Sequence, residues 1–203
     1  LTEEQIGYDL TINGREYKTV KKDDGTWNRR AYAISLPFDM EIPEAQQEEI
    51  LVYKLHEIDT EKKEFIFTNE FPIMKAGEPY ILVVSKGSIT FNGKNVLVKE
   101  VPMEPEIIRN ADGSKGLGYW CSNFRRLENE ELVEKKAYII QHNGTFRHID
   151  KIYASKPYVA EFLAYFSAME PIVTSFKMKF IRTENGVETS EETDFPADLF
   201  FSD

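Results

Sequence analysis

The chain has 203 residues, of which 41% are hydrophobic and 30% are charged, and this is the composition of a folded protein with its own core. The formal net charge of −10 argues against nucleic acid and anionic membrane surfaces as partners, because basic residues occur only in short groups such as Arg125-Arg126. No apolar run approaches the ~18 residues of a membrane-spanning helix, so we expect no membrane span in this chain.

The opening residues and the cysteine count leave the cellular compartment open. The chain opens at Leu1 without a basic-then-apolar leader, as expected of a mature or trimmed chain or of a cytoplasmic one. Cys121 is the only cysteine, so no internal disulfide can form and cysteine usage does not fix the compartment.

Strand patterns dominate the first half of the chain. Runs of β-branched and aromatic residues between turn dipeptides predict strands at 8–12, 16–20, 31–36, 52–58, 65–67, 80–84, 88–91 and 95–101. Asn13-Gly14 and Asn92-Gly93 are strong hairpin turn signals, and Pro37 is expected to end a strand. The alternation in 52–58 predicts one face with Val52, Lys54, His56 and Ile58, and another with Tyr53, Leu55 and Glu57.

The second half of the chain shows the same strand patterns. Strands are predicted at 136–141, 145–149, 158–166 and 173–181, and the last of these alternates lysines with Phe176, Met178 and Phe180. Asn143-Gly144 predicts a two-residue hairpin loop, which would pair Ile139 with His148.

Helical patterns are few. Pro43 followed by acidic residues predicts one short helix over 43–49, whereas 129–136 fits either a helical turn or a charged loop. About a dozen strands at spacings of roughly 8–15 residues suit a sandwich or a barrel, and we expect an all-β fold, an antiparallel β-sandwich-like domain with one short helix. We expect a single domain over 1–203, with 102–116 as a long loop rather than a linker between two domains.

Candidate metal ligands and nucleophiles favour structural roles. In the predicted hairpin, His142 and His148 lie on opposite faces, so they cannot bind one metal ion, and His56 has no partner at ligand spacing. Cys121 lies in an aromatic stretch that predicts a buried strand and a core thiol. We therefore predict no catalytic residue, no metal site and no cofactor.

Aromatic residues are the one enrichment that could indicate binding. Our candidate ligand-binding residues are Tyr119, Trp120 and Trp27, whose rings could stack on sugars. Tyr119 and Trp120 follow two glycines, which could leave a ring accessible, but in an alternating strand they face opposite sides of the sheet. Core packing is the alternative use of all three rings.

Several short motifs occur in an order that resembles a known β-rich module. These motifs are Trp27-Asn28, Ile34-Ser35-Leu36-Pro37-Phe38-Asp39, Val52-Tyr53-Lys54-Leu55, Lys75-Ala76-Gly77-Glu78-Pro79-Tyr80-Ile81-Leu82, Gly118-Tyr119, Ala137-Tyr138-Ile139-Ile140 and Phe162-Leu163-Ala164-Tyr165-Phe166. Together they resemble the C-terminal β-rich module of secreted and surface proteins of Bacteroides-type gut anaerobes. The resemblance implies a non-enzymatic, adhesin-like module that is secreted or at the cell surface, and it identifies no ligand.

We therefore expect a binding or structural module that is not an enzyme and whose partner is an unknown protein or glycan. The alternative is a glycan-active enzyme or a carbohydrate-binding domain. Two carboxylates converging beside Trp27 or Trp120, at the roughly 5–9.5 Å of glycosidases, would favour the alternative.

Overall fold

A computed structural model of the protein describes residues 16–69, 72–91, 97–152, 157–172, 175–184 and 187–192. Its strands are β1 (Glu16–Lys18), β2 (Val20–Lys21), β3 (Trp27–Asn28), β4 (Arg30–Ser35), β5 (Met40–Glu41), β6 (Ile50–Asp59), β7 (Glu64–Asn69), β8 (Ile73–Met74), β9 (Pro79–Val84), β10 (Ser88–Thr90), β11 (Ile107–Asn110), β12 (Gly116–Ser122), β13 (Ala137–Ile140), β14 (Phe146–His148), β15 (Ala164–Ala168), β16 (Ser175–Glu184) and β17 (Val187–Glu192). The α-helix is α1 (Asn129–Glu134), and Glu44–Gln46 and Ile149–Lys151 are single 3-10 turns. The prediction of an all-β chain is confirmed. Strand 8–12 and the turns at Asn13-Gly14 and Asn92-Gly93 lie outside the described residues.

Eight strands close into a barrel, in the order β6, β11, β12, β15, β13, β14, β16, β7 and back to β6. Six of the eight pairings are antiparallel, and two are parallel: β6 with β11 and β7 with β16. The β6–β7 hairpin from the first half of the chain thus closes a six-stranded sheet built from the second half. The expected antiparallel sandwich is therefore corrected to a closed barrel with two parallel pairings. Closure satisfies the backbone groups that two open sheet edges would leave unpaired.

Aromatic rings fill the barrel interior. Phe65, on β7, is fully buried, and its ring centroid lies 4.5 Å from that of Phe176 in a stacked geometry. The rings of Phe146 and Phe166 lie 5.0 and 5.1 Å from Phe65, and Phe67 continues the cluster at 6.4 Å. Offset and edge-on ring pairs at these distances add attraction to the burial of apolar area. The interior is therefore a packed core.

A three-stranded extension continues from the barrel. Beyond the barrel, β6 pairs with β9, and β9 pairs with β4, in both cases antiparallel. Ile81 and Val83 face the barrel core, whereas Leu82 and Val84 face a second core under Tyr17, Phe38 and neighbouring residues. Burial on both faces explains why Pro79–Val84 is almost entirely apolar in sequence.

A third cluster covers the outer side of the barrel, and it explains the position of the helix. Leu132 of α1 is fully buried against Cys121, Ile139 and Tyr165. The predicted helix over 43–49 is wrong, because it contains only the 3-10 turn Glu44–Gln46, which buries no residue. A short helix persists where it has an apolar face to pack, which α1 has in Leu132 and the turn at 44–46 lacks.

Two register details differ from the expected patterns. β6 carries an irregularity between Leu55 and Glu57, so Ile58 joins Tyr53 and Leu55 in the barrel core instead of opposing them. Between β13 and β14, the Gln141 N–H donates to the Thr145 carbonyl oxygen, which leaves a three-residue loop, 142–144, ending at Gly144 with φ of 75°. This loop pairs Tyr138 with His148. A three-residue loop with a left-handed glycine is the next most common hairpin after the two-residue form.

Two predicted strands are also placed differently. Of 95–101, residues 97–101 are described and form no strand, and β15 begins only at Ala164, well inside the predicted 158–166. The side-chain amide of Asn123 donates to the Ala160 carbonyl oxygen at 2.7 Å, which holds this part of the chain across the end of β12. The alternation within 173–181 is confirmed where it is described, since Phe176, Met178 and Phe180 are buried in the barrel.

We predict that Phe65→Ala destabilises the protein by about 3–5 kcal/mol, because it empties the centre of the ring cluster. Phe124→Ala is the matched control, since Phe124 is only partly buried and pairs with Phe162 at 5.7 Å on the periphery. Urea denaturation measures both free energies of unfolding. Equal losses in the two variants would contradict the central role of Phe65.

Candidate functional site

The structure does not gather the three predicted aromatic residues into one site. Trp120 is 3% exposed and faces the barrel interior, with its ring 5.6 Å from that of Phe146. Its indole N–H donates to the carbonyl oxygen of Pro79 at 3.0 Å. A ring held in this way offers no open face on which a sugar could stack.

Tyr119 and Trp27 lie elsewhere. Tyr119 is partly buried on the outer side of β12, where it packs against the cluster around α1. Trp27 is partly buried in the separate β2–β3 hairpin, and the Lys21 ammonium lies 6.0 Å from its ring centroid. The opposite orientations of Tyr119 and Trp120 follow the alternation expected of a strand.

Trp120 also lines a surface cleft. We call residues 97–106 the strap, and we call the cleft the strap cleft, because strap residues 103–106 line it. Its lining residues are Lys54, Leu55, Glu78, Pro79, Met103, Glu104, Pro105, Glu106, Ile108 and Trp120, and its volume is about 60 Å³. It therefore sits where β6, β9, β11 and β12 meet, at the junction of the barrel and the three-stranded extension.

Backbone hydrogen bonds fix the strap in place. The Met103 N–H donates to the Gly77 carbonyl oxygen at 3.1 Å, and the Lys99 N–H donates to the Pro37 carbonyl oxygen at 2.7 Å. Gly77 has φ of 80°, and a Cβ there would lie 2.9 Å from the Met103 nitrogen. This close approach requires glycine, so the strap depends on the turn before β9.

The base of the cleft carries a hydrogen-bonded ion pair. The Lys54 ammonium lies 3.1 Å from the Glu78 carboxylate, and the Tyr80 hydroxyl donates to the same oxygen at 2.9 Å. The Lys54 and Glu78 side chains are 35% and 22% exposed, so both are partly desolvated. Two exposed carboxylates, Glu104 and Glu106, add to the rim, which leaves the cleft with more negative than positive charge.

The strap also presents apolar side chains to solvent. Leu97, Val101 and Met103 are 53%, 59% and 42% exposed. Sequence reasoning treated this region as a strand and then a loop, and it did not identify a binding surface there. The available signal is the run Val101-Pro102-Met103-Glu104-Pro105, in which prolines keep an alternating apolar segment out of sheet pairing.

The single thiol is a core residue. Cys121 is 8% exposed, and burial raises its pKa to about 11, although a hydrogen bond with Tyr165 acts in the opposite direction. Burial raises the pKa of Tyr165 as well. A thiol with this pKa stays protonated at neutral pH and is a poor nucleophile.

We predict that Cys121 in the folded protein resists a thiol reagent at about pH 8 and reacts fully once urea unfolds the chain, because burial both shields the sulfur and disfavours the thiolate. The matched control is the double variant Cys121→Ser/Ser114→Cys, which moves the thiol to an exposed turn. Rapid modification of the native wild-type protein would contradict the assignment.

His148 is the one histidine that the structure buries, and it faces the barrel interior beside Tyr138 at a ring distance of 5.0 Å. Its Nδ1 accepts a hydrogen bond from the Asp150 N–H at 3.3 Å, and its buried Nε2 has no hydrogen-bond partner among the described residues. Burial lowers the pKa of His148, with the Asp150 carboxylate opposing this shift and Lys151 adding to it. His142 and His56 are exposed, and among the described residues no group of three or more His, Cys, Asp and Glu could hold a metal ion.

We predict that acid destabilises the protein partly through His148. The unfolded chain binds a proton at the His148 imidazole more tightly than the folded chain does. The contribution of neutral His148 to the free energy of unfolding is therefore complete above the ordinary pKa of 6.5, and it is lost as the pH falls through the lowered folded-state pKa. The decrease in urea midpoint between about pH 7.5 and about pH 5 should be smaller in His148→Gln than in the wild type. His142→Gln is the control and should keep the wild-type decrease; equal decreases in all three proteins would contradict this role.

Comparisons with protein-family models, curated proteins and solved structures found no match. Within the part of the chain that the structure describes, no helix is long and apolar enough to cross a membrane.

Proposed function

We propose that this protein is a non-enzymatic binding module that contacts its partner at the strap cleft. One observation carries the proposal: exposed Met103 and the partly desolvated Lys54–Glu78 pair line the same surface recess. Apolar contact with a few fixed polar groups is the usual chemistry of a recognition site.

The barrel supports this function as a rigid frame. Its interior is packed with rings such as Phe65 and Phe176, so the variable chemistry lies on the segments that connect its strands. The strap is such a segment, and its two backbone hydrogen bonds, to Gly77 before β9 and to Pro37 after β4, hold it against the extension that pairs with the barrel through β6. A contact surface held in this way loses little conformational entropy when a partner binds.

The dimensions of the cleft favour a protein partner. Its volume of about 60 Å³ is far below the ~300–1,000 Å³ of sites that enclose a whole small molecule. A recess of this size engages part of a partner's surface and does not enclose a whole ligand.

A glycan-active enzyme or a carbohydrate-binding domain is the second candidate, and a specific observation favours it. Three carboxylates, those of Glu78, Glu104 and Glu106, line the cleft beside Trp120. However, the Glu78 carboxylate is engaged by Lys54 and Tyr80, and the Trp120 ring is buried. We therefore rank a protein partner first.

The resemblance to surface modules of gut anaerobes supports a secreted or cell-surface setting for this binding. In that setting the non-enzymatic, adhesin-like role is part of the same proposal. The net negative charge of the chain also argues against a polyanion as the partner.

Selection from a library of displayed short peptides on the immobilised domain tests the function. We expect the selection to enrich peptides that bind the wild type. Binding of these peptides to Met103→Ser should be at most half of their binding to the wild type. Val133→Ser is the matched control, since Val133 of α1 is similarly exposed, at 46% against 42% for Met103, but lies outside the cleft. Equal binding of the enriched peptides to both variants, or hydrolysis of chromogenic glycosides that Glu104→Gln abolishes, would contradict the proposal.

A further inference from the structure

We infer that the strap cleft receives a lysine or arginine side chain from a partner protein. This inference rests on the proposed function and adds to it the chemical class of the group that binds. It follows from the charge of the rim, the apolar wall beside it and the size of the recess.

The rim charge is not neutralised within the described part of the chain. Glu104 and Glu106 are exposed, and neither has an ion-pair or hydrogen-bond partner there. Several other acidic side chains of the chain do have a basic neighbour; these pairs are Asp39–Lys75, Glu49–Lys86, Glu128–Arg126 and Glu131–Arg125. At the cleft, one ammonium, that of Lys54, faces three carboxylates. Charge complementarity therefore favours a cationic group from outside.

The wall beside these carboxylates is apolar. Met103, Pro105 and Ile108 line the recess next to Glu104 and Glu106. Lysine and arginine bury an aliphatic stem against such a surface while the charged head stays near water and carboxylates. A metal ion or a small inorganic cation would gain nothing from the apolar wall.

The strap fixes the backbone that carries the two carboxylates before binding. Pro102 and Pro105 fix the backbone on either side of Glu104, and the Met103 N–H is tied to the Gly77 carbonyl oxygen. Because this backbone is fixed in advance, only the two glutamate side chains lose conformational freedom when a cation binds. The inference therefore concerns a site whose backbone is preformed.

Titration of the isotope-labelled protein with short peptides, followed by NMR, tests the inference. The probes are three peptides of about seven residues that alternate valine with lysine, with glutamine or with glutamate. We expect the lysine peptide to shift the amide signals of residues 103, 104 and 106 and to bind about tenfold more weakly to the Glu104→Gln/Glu106→Gln double variant, as for the loss of two exposed ion pairs. The Glu130→Gln/Glu134→Gln double variant changes the net charge equally on exposed positions of α1, and it should bind like the wild type.

The outcomes separate the inference from the proposed function. If the glutamine or glutamate peptide shifts the same amides as strongly as the lysine peptide, or if the Glu104→Gln/Glu106→Gln variant binds the lysine peptide unchanged, the inference is wrong and the cleft remains a binding site. If none of the three peptides shifts an amide signal of the strap at millimolar concentration, the inference and the proposed function both fail.

Discussion

The packing of Phe65 against its neighbouring rings is the interaction on which the rest of the structure depends. Phe65 lies on β7, and its contacts with Phe176, Phe146 and Phe166 join a strand from the first half of the chain to strands from the second half. No single strand pair could hide these rings from water, so their burial requires the full circle of strands. The closed barrel thus buries the rings and also pairs the backbone hydrogen-bonding groups of its strands.

The position of the strap cleft follows from the use of β6 in two layers. One part of β6 closes the barrel against β11, and another pairs with β9 in the extension. Lys54 and Leu55 lie on β6, Pro79 begins β9, and Trp120 comes from the barrel wall. A recess forms where the two layers diverge, and the strap covers part of it. The same junction therefore supplies both the shape and the charged groups of the site.

Local patterns predicted local features well. The alternation of Phe176, Met178 and Phe180 identified a strand and its buried face, and the apolar residues of 80–84 identified β9. The parallel pairing of β7 with β16 has no such pattern, because the two partners are separated by most of the chain. The irregularity after Leu55 could not be predicted from the sequence either, because an extra residue leaves a strand with the same kinds of residues. At the site, the burial of Trp120 and the excess of carboxylates in the cleft result from residues that are distant in sequence, so no local pattern predicts them.

The two parallel pairings also determine when the barrel can form during synthesis. β6 and β7 can make their hairpin early, and β9 can then pair with the first part of β6. The segment Glu57-Ile58 of β6 and the outer edge of β7 stay unpaired until β11 and β16 emerge from the ribosome. Contacts this distant in sequence slow folding, because a large loop must be ordered before they form. During that interval the apolar hairpin exposes strand edges of the kind that recruit other chains. Folding of the barrel therefore depends on keeping the free edge of β7 from other chains until β16 is available to pair with it.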